Sequence, residues 1–94
     1  MIIKVGPMIY EVVEVEDFHR NGEFLDGYIS HNEGKCYIEA SLCQQARFVT
    51  LWHEVIHAIL DNAGWVEKHD ERMVSALASG IAQVLQDNAM LRDG

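Results

Sequence analysis

The first forty residues alternate between hydrophobic and polar positions in short runs. The run at residues 8–15, MIYEVVEV, is rich in Val, Ile and Tyr, which favour strands. Two further β-like runs, at residues 24–30 and 35–40, flank the polar segment of residues 31–34, which ends in glycine. This pattern predicts a small antiparallel sheet built from N-terminal hairpins.

The hydrophobic period changes to that of a helix after residue 40. Ser41 is a candidate N-cap, with Gln44 at the matching capping-box position, and the helix should end near Asn62 with Gly64 in the left-handed conformation. A second helical pattern covers residues 68–90, with an apolar face formed by Val74, Leu77, Ile81, Val84 and Leu85. Strands followed by an antiparallel pair of helices predict an α+β fold, and we expect residues 1–94 to form one domain.

The composition narrows the class of protein. The chain has 94 residues, 49% of them hydrophobic, which is enough for a core, and a formal net charge of −8. The negative charge argues against nucleic acid or an anionic membrane surface as a partner. There is no apolar run of membrane-spanning length, no signal-peptide pattern and no disulfide framework from the two cysteines, so we expect a cytoplasmic protein.

The first predicted helix carries a narrow polar strip. At about 100° per residue, six polar side chains fall within an arc of about 120°; they are Arg47, Thr50, His53, Glu54, His57 and Asp61. Apolar residues fill the opposite arc, which is about 200° wide, so the helix should be packed on more than one side. A polar strip on such a helix either faces solvent or lines a cleft.

Within that strip, residues 53–57 read His-Glu-Val-Ile-His. Histidines at i and i+4 lie about 6 Å apart along the helix axis, so both imidazoles can reach one Zn²⁺. Glu54 projects beside the histidine pair, where its carboxylate would act as a general base and not as a ligand. Chance would place such a motif in a chain of this composition on the order of a few per cent of the time. The spacing therefore indicates a zinc site.

The second helix is expected to supply a third ligand. An antiparallel partner brings its first turns level with His57, and the acids there are Glu67, Asp70 and Glu71. Glu67 falls in the connection, and Asp70 points more squarely at the apolar face but has a short side chain. Glu71 borders that face and has the reach. Glu71 is the preferred ligand, with Asp70 and then His69 as alternatives, because the helix phase is uncertain by a residue or two.

Other polar and aromatic residues have less specific interpretations. Asp61 lies one turn beyond the histidines, about 12 Å from the first along the axis, so it would either orient a ligand or remain a solvated acid. Tyr28 and Tyr37 could flank the cleft, where an oxyanion-stabilising role competes with simple strand packing. Trp52 and Trp65 are predicted to lie in the core.

Two segments also resemble a known family. TLWHEVIHAILDNAG and HDERMVSALASGIAQVLQDN are similar to short bacterial and phage zincin-like metallopeptidases akin to the ImmA/IrrE family. The resemblance covers about residues 38–88, and its specific part is the His-Glu-x-x-His segment. It implies zinc bound by His53 and His57, Glu54 as the catalytic base, an acidic third ligand from the next helix, and an edge strand that holds an extended peptide. The chain is shorter than the larger family members, without their accessory domain.

The expected activity is that of a zinc-dependent hydrolase acting on a protein or peptide. Zn²⁺ held by His53, His57 and Glu71 would keep a fourth position for water, and Glu54 would carry the proton from that water to the leaving nitrogen. The strand at residues 35–40 could hold the substrate backbone. Two other hypotheses are a non-catalytic acidic binding module with a structural zinc site, and an acidic decoy for a basic partner surface.

Overall fold

The strands of the chain precede its helices, which confirms the predicted α+β class. A computed structural model describes residues 1–65 and 67–93. Its elements are β1 (Ile2–Val5), β2 (Met8–Val15), β3 (His19–Arg20), β4 (Glu23–Phe24), β5 (Gly27–Ser30), β6 (Lys35–Glu39), α1 (Gln44–Asn62), α2 (Glu71–Asp87) and α3 (Ala89–Asp93).

The main sheet is mixed and has the strand order β1-β2-β6-β5. The two hairpins, β1–β2 and β5–β6, are antiparallel, and the second is the hairpin that the sequence predicts. The central pair, β2 and β6, is parallel, so the prediction of a wholly antiparallel sheet is wrong there. After β2 the chain passes through the small β3–β4 hairpin, runs in the opposite direction along β5 and returns as β6, so β2 and β6 point the same way. Strand β1 was not predicted.

A buried carboxylate fixes the loop between the sheet and α1. Glu39 is 1% exposed, and it accepts hydrogen bonds from the backbone N–H of Phe18 at 2.6 Å and of Ser41 at 3.0 Å. These bonds, that of Phe18 foremost, lower the pKa of Glu39 to about 2. Ser41 therefore precedes α1 and does not cap it. The N-cap is Cys43, so the predicted capping box is wrong.

Helix α1 packs between the sheet and α2. On the sheet side, Ala58 contacts Val5 and Tyr10 in one buried cluster. On the other side, Ile56 packs against Val74 and Ala78 of α2. Both faces of α1 are thus covered, which accounts for its wide apolar surface.

The end of α1 and the packed face of α2 test the helical predictions. Gly64 follows α1 with φ +93°, as predicted. The buried residues of α2 are Val74, Ala78 and Ala82, whereas Leu77 and Val84 are exposed, so the predicted apolar face is displaced toward the small alanines. Trp52 packs beside Ile56, but Trp65 is 66% exposed and is not a core residue. None of the helices in the two described ranges is long and apolar enough to cross a membrane.

Candidate metal centre

The polar strip of α1 lines a cleft of about 880 Å³ between β5 and α2. Five of the six predicted strip residues face this cleft: Thr50, His53, Glu54, His57 and Asp61. Arg47 instead pairs with Glu14 of β2. Of the two arrangements that the sequence left open, a solvent-facing strip or one that lines a cleft, the structure shows the second.

Three potential metal ligands meet at the floor of the cleft. The Nε2 atoms of His53 and His57 lie 3.2 Å apart. The Glu71 carboxylate contacts both imidazoles, with Oε2 at 3.1 Å from Nε2 of His53 and Oε1 at 2.9 Å from Nε2 of His57. Ligands around a tetrahedral Zn²⁺ lie roughly 3.3 Å from one another, given metal–ligand distances of about 2.0 Å. His53, His57 and Glu71 form a group that could hold a metal ion.

The antiparallel register of the helices brings Glu71 to this group. His57 is level with Glu71, and His53, one turn earlier on α1, is level with Ser75, whose Oγ lies 3.4 Å from Nδ1 of His53. Asp70 has a different role, because its Oδ1 accepts hydrogen bonds from the backbone of Arg72 and Met73 at the start of α2. Between the two acids that the sequence left open, the structure places Glu71 beside the histidines.

The charge state of His57 suits metal binding. Burial, more than any neighbour, lowers the pKa of His57 from its ordinary value. The charges of the nearby imidazoles of His53 and His69 act in the same direction, and that of the Glu71 carboxylate opposes them. A ligating histidine must be neutral, so an imidazole that resists protonation keeps its lone pair for a metal.

Glu54 lies outside the three-residue group, as the motif predicts for a base. The residue is only 8% exposed, and burial, followed by the charge of Glu71, raises the pKa of Glu54 to about 7. A hydrogen bond that the Glu54 carboxylate accepts from the backbone N–H of Ile29 in β5 opposes this shift. A carboxylate whose pKa lies near neutrality can both accept and release a proton at physiological pH.

Strand β5 lines the cleft together with α1 and α2, and Gly27 of β5 lies against α1. A Cβ atom at Gly27 would lie 2.7 Å from Cγ2 of Thr50, 3.1 Å from the carbonyl oxygen of Tyr37 and 3.3 Å from Oε2 of Glu54. The absence of a side chain at this position therefore lets β5 lie directly against the helix that carries the motif.

We expect Gly27→Ala to destabilise the protein by about 1–3 kcal/mol, the usual cost of overpacking, because backbone and a branched side chain must both move. Urea denaturation followed by circular dichroism measures the change. Gly80→Ala is the matched control: it lies within α2, its Cβ would meet none of the described atoms within 4 Å, and it should gain about 0.5–1 kcal/mol. Equal stability of Gly27→Ala and the wild type would contradict the prediction.

The remaining candidates from the sequence fall outside the three-residue group. Asp61 contacts His69 at 3.3 Å. Tyr37 donates its hydroxyl to Glu33 at 2.7 Å and stacks on Phe18, which supports the strand-packing interpretation. Tyr28 lines the cleft beneath the guanidinium of Arg20.

The strand predicted to hold a substrate is not available for that role. Strand β6 lies between β2 and β5 in the sheet, so both of its edges are paired. The strand that borders the cleft is β5, which pairs with β6 alone among the strands in the described residues. The prediction of strand addition at residues 35–40 is therefore wrong, and the available edge belongs to β5.

Comparison of the chain with protein-family models, with curated proteins and with solved structures found no match. The site is defined by its own geometry: two imidazoles and a carboxylate that converge, a buried second carboxylate beside them, and a cleft that all four line.

Proposed function

We propose that this protein is a zinc-dependent peptidase of the zincin type that cleaves a protein or peptide bound in the cleft. The observation that carries the proposal is the convergence of His53, His57 and Glu71 within 3.2 Å of one another, with Glu54 buried beside them. Two histidines and a glutamate are a ligand set of catalytic zinc. The resemblance of the His-Glu-x-x-His segment to that of the ImmA/IrrE metallopeptidases supports the same activity.

Each residue then has a definite task. His53 and His57 would hold the ion through Nε2 and Glu71 through a carboxylate oxygen. When bound, zinc supplies a Lewis acid and a water of lowered pKa. Glu54 would accept a proton from the attacking water and pass it to the leaving nitrogen, which its near-neutral pKa permits.

The free edge of β5 gives the proposed substrate a place to bind. Gly27, Tyr28 and Ile29 of β5 line the cleft, so an extended peptide could add to the sheet there through main-chain hydrogen bonds. The net charge of −8 disfavours nucleic acid and anionic membranes as partners. The two cysteines of the chain are free, as is usual in a reducing compartment, and we therefore place the protein in the cytoplasm.

A structural zinc site in a non-catalytic binding module is a second candidate. It is favoured by the position of the group, since His53 and His57 come from α1 and Glu71 from α2, so that a bound ion would join the two helices. A small domain can depend on such a link for its stability.

Removal of the metal tests both proposals. We expect the purified protein to contain about one zinc per chain by elemental analysis and to cleave an unfolded protein substrate. A chelator should abolish cleavage while the far-ultraviolet circular dichroism stays unchanged, because both faces of α1 are packed without the metal. Unfolding on chelation, with no cleavage before it, would support the structural site. Absence of zinc from protein incubated with it would contradict both.

A further inference from the structure

A third histidine, His69, contacts His57, one of the three candidate metal ligands. Nδ1 of His69 is 2.6 Å from Nδ1 of His57, and with centroids 4.9 Å apart and planes inclined by 20° the two rings lie edge to edge, joined through these nitrogens. The other ring nitrogen of His57, Nε2, faces His53 and Glu71. His57 thus uses one nitrogen toward the candidate metal and the other toward His69.

This arrangement determines where the protons must be. If Nε2 of His57 offers its lone pair to a metal, the ring proton is on Nδ1 and is donated to His69. Nδ1 of His69 must then accept, which places the proton of His69 on its Nε2. That atom lies 2.7 Å from the carbonyl oxygen of Trp65 and 3.3 Å from Oδ1 of Asp61.

The partners of His69 select this same tautomer. The carbonyl oxygen of Trp65 and the carboxylate of Asp61 both accept hydrogen bonds, so the nitrogen between them must donate. The side chain of His69 is only 8% exposed, which limits competition from water. The hydrogen bonds therefore run in one direction, from His57 to His69 and on to Trp65 and Asp61.

We propose that His69 is a positioning residue, which holds His57 in the Nδ1–H tautomer and fixes the orientation of its ring toward the metal. The inference rests on the proposed metal site and extends it. A ligating histidine commonly donates its second nitrogen to a carboxylate, a carbonyl or water. Here the imidazole of His69 takes that place. Its other nitrogen, Nε2, interacts with Asp61, which lies one turn after His57 on α1.

Two substitutions separate the hydrogen bond from the packing of the His69 ring. His69→Phe keeps a ring against His57 but removes the acceptor, whereas His69→Asn offers an oxygen near the position of Nδ1. We expect the zinc affinity, measured by competition with a chromophoric chelator, to fall about 10–100-fold in His69→Phe. The zinc affinity of His69→Asn should lie much closer to that of the wild type. The control is His31→Phe, a change at an exposed histidine in the β5–β6 turn, which should leave the affinity unchanged.

Long-range ¹H–¹⁵N spectra of the zinc-loaded wild type provide a measurement that does not depend on any variant. They should show His57 protonated at Nδ1 and His69 protonated at Nε2. The proton on His57 should exchange slowly with water, and exchange should accelerate in His69→Phe.

The outcomes distinguish this inference from the proposed function. If the wild type binds zinc and His69→Phe binds it equally tightly, the role of His69 is overturned while the metal site stands. The opposite tautomer of His69 in the wild-type spectra would overturn it as well, even if His69→Phe failed to fold. A wild type that binds no zinc would overturn both.

Discussion

Replacement of Glu54 by Gln should reduce peptidase activity by about 100-fold or more, the usual cost of losing a general base, and leave zinc binding nearly unchanged. The amide has almost the same volume as the carboxyl group but cannot take up a proton. Glu54 lies outside the group formed by His53, His57 and Glu71, so its removal leaves the ligand set complete. Steady-state cleavage rates and zinc content, measured on the same preparation, check the two halves of the prediction.

The position of Glu54 also predicts how the variant folds. Burial and the charge of Glu71 both disfavour its ionised form, so the neutral amide should be accommodated without loss of stability. Glu67→Gln is the matched control, because Glu67 lines the same cleft from the exposed connection before α2 and should retain full activity. Wild-type activity in Glu54→Gln would exclude the role of base, and loss of zinc from it would make Glu54 a ligand.

The elements whose signals are local could be predicted from the sequence. Strand β2 and the β5–β6 hairpin follow from β-rich runs bounded by turn residues, and the positive φ of Gly64 follows from the end of an apolar helical pattern. The parallel pairing of β2 and β6 could not be predicted in this way. A period of two residues is the same in parallel and antiparallel strands, and the crossover that decides between them is a property of the whole chain.

The same distinction between local signals and properties of the whole chain applies to the candidate site. His53, Glu54 and His57 belong to one helix, so their relative directions follow from helix geometry alone. Glu71 depends on the phase between two helices, which is why the sequence left Asp70 open. The sequence predicts a helix from residue 68, but α2 begins at Glu71, so the direction of His69 could not be taken from the helical period and the sequence placed it only among the alternative ligands. Its contact with His57 became apparent from the packing.

The two acids at the start of α2 provide the sharpest test of the proposed ligand set. Glu71 contacts both histidines through its two carboxylate oxygens, whereas the carboxylate of Asp70 accepts hydrogen bonds from the backbone of its own helix. Each can be replaced by its amide, which keeps the volume and removes the charge. Asparagine is as good an N-cap as aspartate, so Asp70→Asn should fold normally. Glu71 is 60% exposed, so Glu71→Gln should fold normally too.

Zinc affinity should then fall by more than about 100-fold in Glu71→Gln, exceeding the 10–100-fold typical of residues that only support a ligand. A neutral amide oxygen is a much weaker ligand for Zn²⁺ than a carboxylate, and the charge that balances the ion is lost. In Asp70→Asn the zinc affinity should stay within a few-fold of the wild type, because the substitution changes only the residue that caps α2. Chelator competition at equal protein concentration measures both values. The reverse order of effects would transfer the ligand to Asp70. Unchanged affinity in both variants would leave His53 and His57 as the protein ligands and remove the carboxylate from the proposed centre.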